Sequence, residues 1–120
     1  MLKNMTDIDI FCNKFLQFII DKNVEGAFHY IQPFTRVSET EVTKMEIQAM
    51  KQFDFIGEKY GEWLDYKLVD EKILEDVLVK RVYILRTDLL PIKWQFIFYK
   101  ARVEWKIINF VYNEDYENLF

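Results

Sequence analysis

Apolar residues recur every three to four positions through the first half of the chain and every second position through the second half. Ile8, Phe11, Cys12, Phe15 and Ile19 fall on one helical face, and Asp9, Lys14, Gln17 and Asp21 fall mostly on the other. Thr6 or Asp7 is placed to cap the start of this helix. Asn23 offers a second cap, for a short helix from Val24 to Ile31 that Pro33 stops, because proline has no N–H to give and its ring collides with the preceding turn. Ser38 and Glu41 have the spacing of a capping box, in which each side chain satisfies an orphan backbone N–H. Behind them Val42, Met45, Ala49, Phe53, Ile56 and Tyr60 trace one face of a longer helix, and Gly61 is placed to end it in a left-handed turn.

Beyond Gly61 alternation takes over. Leu64, Tyr66 and Leu68 alternate with Asp65, Lys67 and Val69, and Glu75-Asp76 then interrupts. Val77 to Arg86 is dense in β-branched and aromatic residues, which suit a pleated surface. Thr87-Asp88 and Pro91 mark a turn, after which Trp94, Phe96 and Phe98 alternate with Lys93, Gln95 and Tyr99. A break at Ala101-Arg102 leads into a last strand from Val103 to Tyr112. Helices first and an antiparallel meander of four strands second predict an α+β fold, with residues 1–120 forming one domain.

Composition narrows the function classes. Hydrophobic residues make up 51% and charged residues 30%, the balance of a folded domain and not of a disordered chain. Aromatic residues reach 18%, so the fold must house many large flat side chains. The net charge of −4 is spread evenly, with each half of the chain at −2. No basic patch able to neutralise phosphates is visible, which argues against nucleic acid and an anionic membrane surface as partners. The apolar runs Phe15–Ile20 and Ile92–Tyr99 fall far short of the roughly 20 residues a membrane span requires. As written the chain carries no leader and reads as cytoplasmic; a periplasmic or secreted origin fits equally if a leader was removed. Cys12 is the single cysteine, which excludes an internal disulfide and a thiolate-built metal site, and its place on the apolar stripe marks it as a buried, inert thiol. No metal-ligand cluster, phosphate-cradling glycine loop or nucleophile elbow occurs, so neither a metal nor a cofactor is expected.

The run Trp94-x-Phe96-x-Phe98-Tyr99-Lys100, followed by Trp105-Lys106-Ile107 and Phe110, resembles small members of the nuclear transport factor 2-like superfamily, a cystatin-like α+β fold. Tyr60-Gly61 ahead of the first strand fits the same pattern. The resemblance covers nearly the whole chain and rests on packing residues. It implies three N-terminal helices packed in a strongly curved antiparallel sheet of about four long strands, shaped as a cone. In relatives the open end of the cone is an active site, a ligand cavity or part of the core, and dimers form through the outer face of the sheet. Superfamily enzymes resembling ketosteroid isomerases or polyketide cyclases set an Asp or His opposite a Tyr or Asp inside the cone. No motif here accepts those residues, so no catalytic residue is carried over.

The strand around Arg81 holds the most specific chemistry. One face reads Val77, Val79, Arg81, Tyr83 and Leu85, and the other reads Leu78, Lys80, Val82, Ile84 and Arg86. With the first set facing the cone, Arg81 is a fixed cation beside Tyr83, suited to a carboxylate or phosphate on a small ligand, and Trp94, Phe96 and Phe98 line a pocket for its flat apolar part. The bland alternatives are an Arg81 paired with an internal acid and a set of rings that are simply core. Leu78, Val82 and Ile84 then lie on the outer face as a candidate homodimer interface, unless the two faces are reversed. His29 and Asp54 are the weaker acid–base candidates, a surface histidine and a solvated carboxylate being the simpler readings.

The expectation is therefore a non-catalytic module, either small-ligand-binding or a homodimeric assembly domain, with an aromatic-lined cone that accepts a small hydrophobic or acidic ligand. The alternatives are a structural or protein-interaction domain with a filled cone, and an isomerase, cyclase or dehydratase-type enzyme drawing on His29, Asp54, Tyr66 or Tyr83. The state of Arg81 separates them: alone in an open cavity, paired with an acid or His in one, or packed in a filled cone.

Overall fold

A computed structural model traces the backbone of residues 1–120 and describes the side chains of residues 1–53 and 59–120; the expectations for Asp54 and Ile56 lie outside the described residues. Helix α1 spans Met5–Ile20, α2 Val24–Ile31 and α3 Glu39–Tyr60. Strands β1 (Trp63–Leu74), β2 (Leu78–Thr87), β3 (Ile92–Lys100) and β4 (Trp105–Asn113) follow in that order. They form one antiparallel sheet in which each strand neighbours the next in sequence.

The caps explain where the helices begin. Asn4, not Thr6 or Asp7, caps α1: its extended backbone lets Oδ1 accept the Asp7 N–H at 2.9 Å. The Asp7 carboxylate instead accepts the Lys3 N–H at 2.8 Å and places negative charge where the helix dipole favours it. Asn23 caps α2, with Oδ1 accepting the Gly26 N–H at 2.9 Å. The Ser38 half of the capping box is formed, its hydroxyl accepting the Glu41 N–H at 3.2 Å. Gly61 ends α3 at a φ of 73°, and a Cβ there would approach Asp88 to 3.0 Å.

The turns set the strand registers. Glu75 and Asp76 both adopt positive φ, at 49° and 56°, and the Val77 N–H donates to the Leu74 carbonyl at 3.0 Å, so β1 reverses tightly into β2. β1 runs beyond its clean alternation to Leu74, because bulges near Leu64 and Val69 each absorb one residue out of phase. β4 starts at Trp105, and Val103 lies exposed in the connection ahead of it.

One face of the sheet packs on the helices. Ile8, Phe11, Cys12, Phe15, Leu16 and Ile19 of α1 are fully buried against Val79, Tyr83 and Leu85 of β2, Trp94, Phe96 and Phe98 of β3, and Ile107 and Phe110 of β4. The rings interlock edge to face, the arrangement their quadrupoles favour: Phe15 to Phe96 at 5.4 Å, Phe15 to Trp94 at 5.5 Å and Phe11 to Phe98 at 6.2 Å. The high aromatic content is spent here. Among the described residues, no helix is long and apolar enough to cross a membrane.

Candidate functional site

The alternation along β2 places Arg81 and Tyr83 on the inner face, beside β3's Phe96 and Trp94 in register. Five of the expected site residues (Arg81, Tyr83, Trp94, Phe96 and Phe98) thus come together, and all five are buried. None of the five lines the grooves described below. Among the described residues, the grooves lie elsewhere: about 460 Å³ between α2 and α3, beside His29, Glu39 and Glu46; about 330 Å³ at the end of α3, beside Tyr60, Tyr112 and Glu114; and about 210 Å³ at the start of α2, beside Lys22 and Trp63. Rings from α1 occupy the space that Trp94, Phe96 and Phe98 face.

Arg81 is 5% exposed, and its charge is met from three sides. One terminal nitrogen pairs with the Asp9 carboxylate of α1 and also donates to the Tyr83 hydroxyl at 3.1 Å. Its Nε lies 2.7 Å from Glu71 Oε2, directly across the β1–β2 ladder, an ion-pair contact bent away from the line of the N–H bond. Burial alone would push the guanidinium toward losing its proton, but the bonds to Asp9 and Tyr83 more than reverse this, and Arg81 stays charged. Burial raises the Tyr83 hydroxyl above its ordinary range. It also pushes the neighbouring Cys12 thiol up to about 12, against an opposing hydrogen bond from Tyr83. An Arg in this state is a structural tie between α1, β1 and β2.

Neither acid was legible as Arg81's partner in the sequence. Asp9 sits 72 residues away on the polar side of α1, and Glu71 faces Arg81 only because of the Val69 bulge. A second cluster also escaped the sequence reading: the Tyr60 hydroxyl donates to the Glu114 carboxylate, which Lys59 approaches to 2.9 Å. The Tyr60 bond and Lys59 hold the Glu114 carboxyl below the usual range. His29 is exposed on α2, and the Tyr66 hydroxyl is committed to the Asn13 carbonyl at 3.1 Å.

On the opposite face, Leu78, Val82 and Ile84 lie together as the alternation predicted, with Val82 outside the main core cluster. Val82 is nonetheless buried, flanked in register by Asp70 and Gln95, while Lys80 approaches Asp70 to 3.8 Å beside it. Exposed apolar surface concentrates at one end of this face. There Leu74, Leu78 and Tyr99 line up across three strands, and Ile97 pairs with Lys80. A shallow groove of about 240 Å³ runs between Leu74, Leu78, Ile97 and the stems of Lys72 and Lys80.

Comparison with known proteins finds no match for this chain among family models, curated proteins or solved structures.

Proposed function

We propose that the protein is a non-catalytic assembly module of the nuclear transport factor 2-like kind, with a filled cone, acting as a homodimer through the outer face of its sheet. The observation that carries this reading is the apolar end of that face, where Leu74, Leu78, Ile97 and Tyr99 share one surface that, among the described residues, no helix covers. The interior supports it from the other side. Arg81 is engaged by Asp9, Glu71 and Tyr83, and the β3 aromatic residues are packed against α1, which favours a filled cone over a ligand site. Acid–base chemistry of the isomerase type has little to draw on: Tyr83 is buried and bonded to a cation, while His29 stands on the surface of another element.

Sedimentation equilibrium tests the reading. The wild-type protein is expected to self-associate, and Leu78→Glu is expected to lose the association step made through this face with an unchanged circular-dichroism spectrum, since a charge at the centre of the patch must be desolvated on association. A wild-type monomer, or self-association indifferent to Leu78→Glu, would remove the outer face as the working surface.

A further inference from the structure

The two edges of the sheet are finished differently. β4 is covered: the Trp105 N–H donates to the Leu2 carbonyl at 2.7 Å, and Thr35-Arg36 runs alongside Ile107, with the Arg36 N–H donating to the Ile107 carbonyl at 2.8 Å. β1 pairs only with β2, and among the described residues no segment pairs with its other edge. A long bare strand offers a row of unpaired backbone groups, which proteins ordinarily protect with charges that repel a second copy. Here the charges are ordered otherwise. The sequence Asp65-x-Lys67-x-x-Asp70-x-Lys72 reads with opposite sign when reversed about the midpoint between Leu68 and Val69.

We propose that β1 pairs antiparallel with β1 of a second copy about a two-fold axis at that midpoint, joining the two four-stranded sheets into one. In this register Asp65 faces Lys72 of the second copy and Lys67 faces its Asp70, twice over by symmetry. Leu64 then faces Ile73 and Leu68 faces Val69, four side chains that are 46% to 50% exposed in the single chain. The bulge makes the register workable. Asp65 and Lys72 are an odd number of positions apart and would lie on opposite faces of a regular strand. With Val69 out of phase, Asp65, Lys67, Asp70 and Lys72 instead pair with Arg86, Ile84, Val82 and Lys80, all on the outer face. Within the protomer, Asp65 is held by Arg86 at 2.5 and 2.7 Å and Asp70 by Lys80, whereas Lys67 and Lys72 meet no carboxylate among the described residues. The lysines are the charges left for a partner to answer.

This edge contact shares only the Lys72 stem with the outer-face groove and is a second, additional contact: with both in place the wild-type protein assembles beyond a dimer, Leu78→Glu keeps the edge dimer, and the charge variants keep the face dimer. Its test is a charge exchange followed by native mass spectrometry and sedimentation equilibrium. Asp65→Lys/Asp70→Lys makes the edge wholly basic, and Lys67→Asp/Lys72→Asp makes it wholly acidic. Each variant alone is expected to make the edge contact at least tenfold more weakly than wild type and to stop at the face dimer, and their equimolar mixture to recover the larger assembly with both variants in it. A variant that assembles as far as wild type overturns the proposal, as does a folded pair whose mixture goes no further than either variant alone. Loss of association in Leu78→Glu alone, with both charge variants assembling as far as wild type, overturns the edge contact and leaves the face. If either charge variant fails to fold, hydrogen exchange of the wild-type protein decides. Protection of the amides from Leu64 to Ile73 that rises with protein concentration supports the pairing, and protection that stays flat overturns it.

Discussion

Lys80 and Arg81 are adjacent cations on one strand and live in different solvents. Lys80, on the outer face, is half-buried and 3.8 Å from Asp70, an ion pair of the kind that contributes about 0–1 kcal/mol. Arg81, on the inner face, is buried and tied to Asp9, Glu71 and Tyr83 from three elements of the chain. The pleat alone separates them, since neighbouring side chains point to opposite faces. The same division holds for β3, where Phe96 is core and Ile97 is groove wall. A composition rich in aromatic and aliphatic residues can therefore signal either a packed interior or an adhesive surface, and the face decides which.

Substitution across the two faces sharpens this contrast. Phe96→Ala is expected to lose about 3–5 kcal/mol in urea unfolding, because it opens a cavity among the α1 rings, whereas Ile97→Ala should cost under about 1 kcal/mol in the monomer. Similar losses at the two positions would mean that the outer face is as closely packed as the inner. Arg81→Ala is expected to destabilise by about 1–3 kcal/mol, below the full cost of breaking a buried pair because the Asp9 partner is itself half exposed and can rehydrate. Lys80→Ala should change stability by no more than about 0.5 kcal/mol, measured the same way.

A further contrast lies in pH. Cys12, buried beside Arg81 and Tyr83, has its thiol pushed up to about 12 by burial, above the about 8.5 of an unfolded chain. A folded-state value raised in this way contributes stability that is intact below about pH 8.5 and drains away as pH climbs toward 12. Cys12→Ala should accordingly be less stable at neutral pH, yet show a shallower loss between about pH 9 and 11. In the native wild-type protein the thiol should resist iodoacetamide until urea unfolds the chain. Rapid native alkylation would show that the interior beside Arg81 is open to solvent.

Short-range chemistry made much of this molecule legible from its residues. The 3.6-residue recurrence of Ile8, Phe11, Cys12, Phe15 and Ile19 located α1, and the same face is fully buried. Asn23, Ser38 and Gly61 each act within a few residues of themselves, so their cap and turn roles could be read locally. Alternation also assigned the two faces of β2 correctly, Arg81 and Tyr83 inward and Leu78, Val82 and Ile84 outward. The α1 cap was misplaced by two or three residues, onto Thr6 or Asp7, because several polar residues compete there and only the backbone conformation of Asn4 settles the choice.

What the sequence by itself determined, then, is the element order, the turns and the two faces of each strand, because these depend on neighbours in the chain. Tertiary structure alone decided that Asp9 reaches Arg81 across 72 residues, that rings from α1 fill the space in front of Trp94, Phe96 and Phe98, and that a bulge at Val69 turns Glu71 inward and Asp70 outward. Each of these depends on how closely distant segments approach, which is set by side-chain packing summed over the whole core and not by any local pattern.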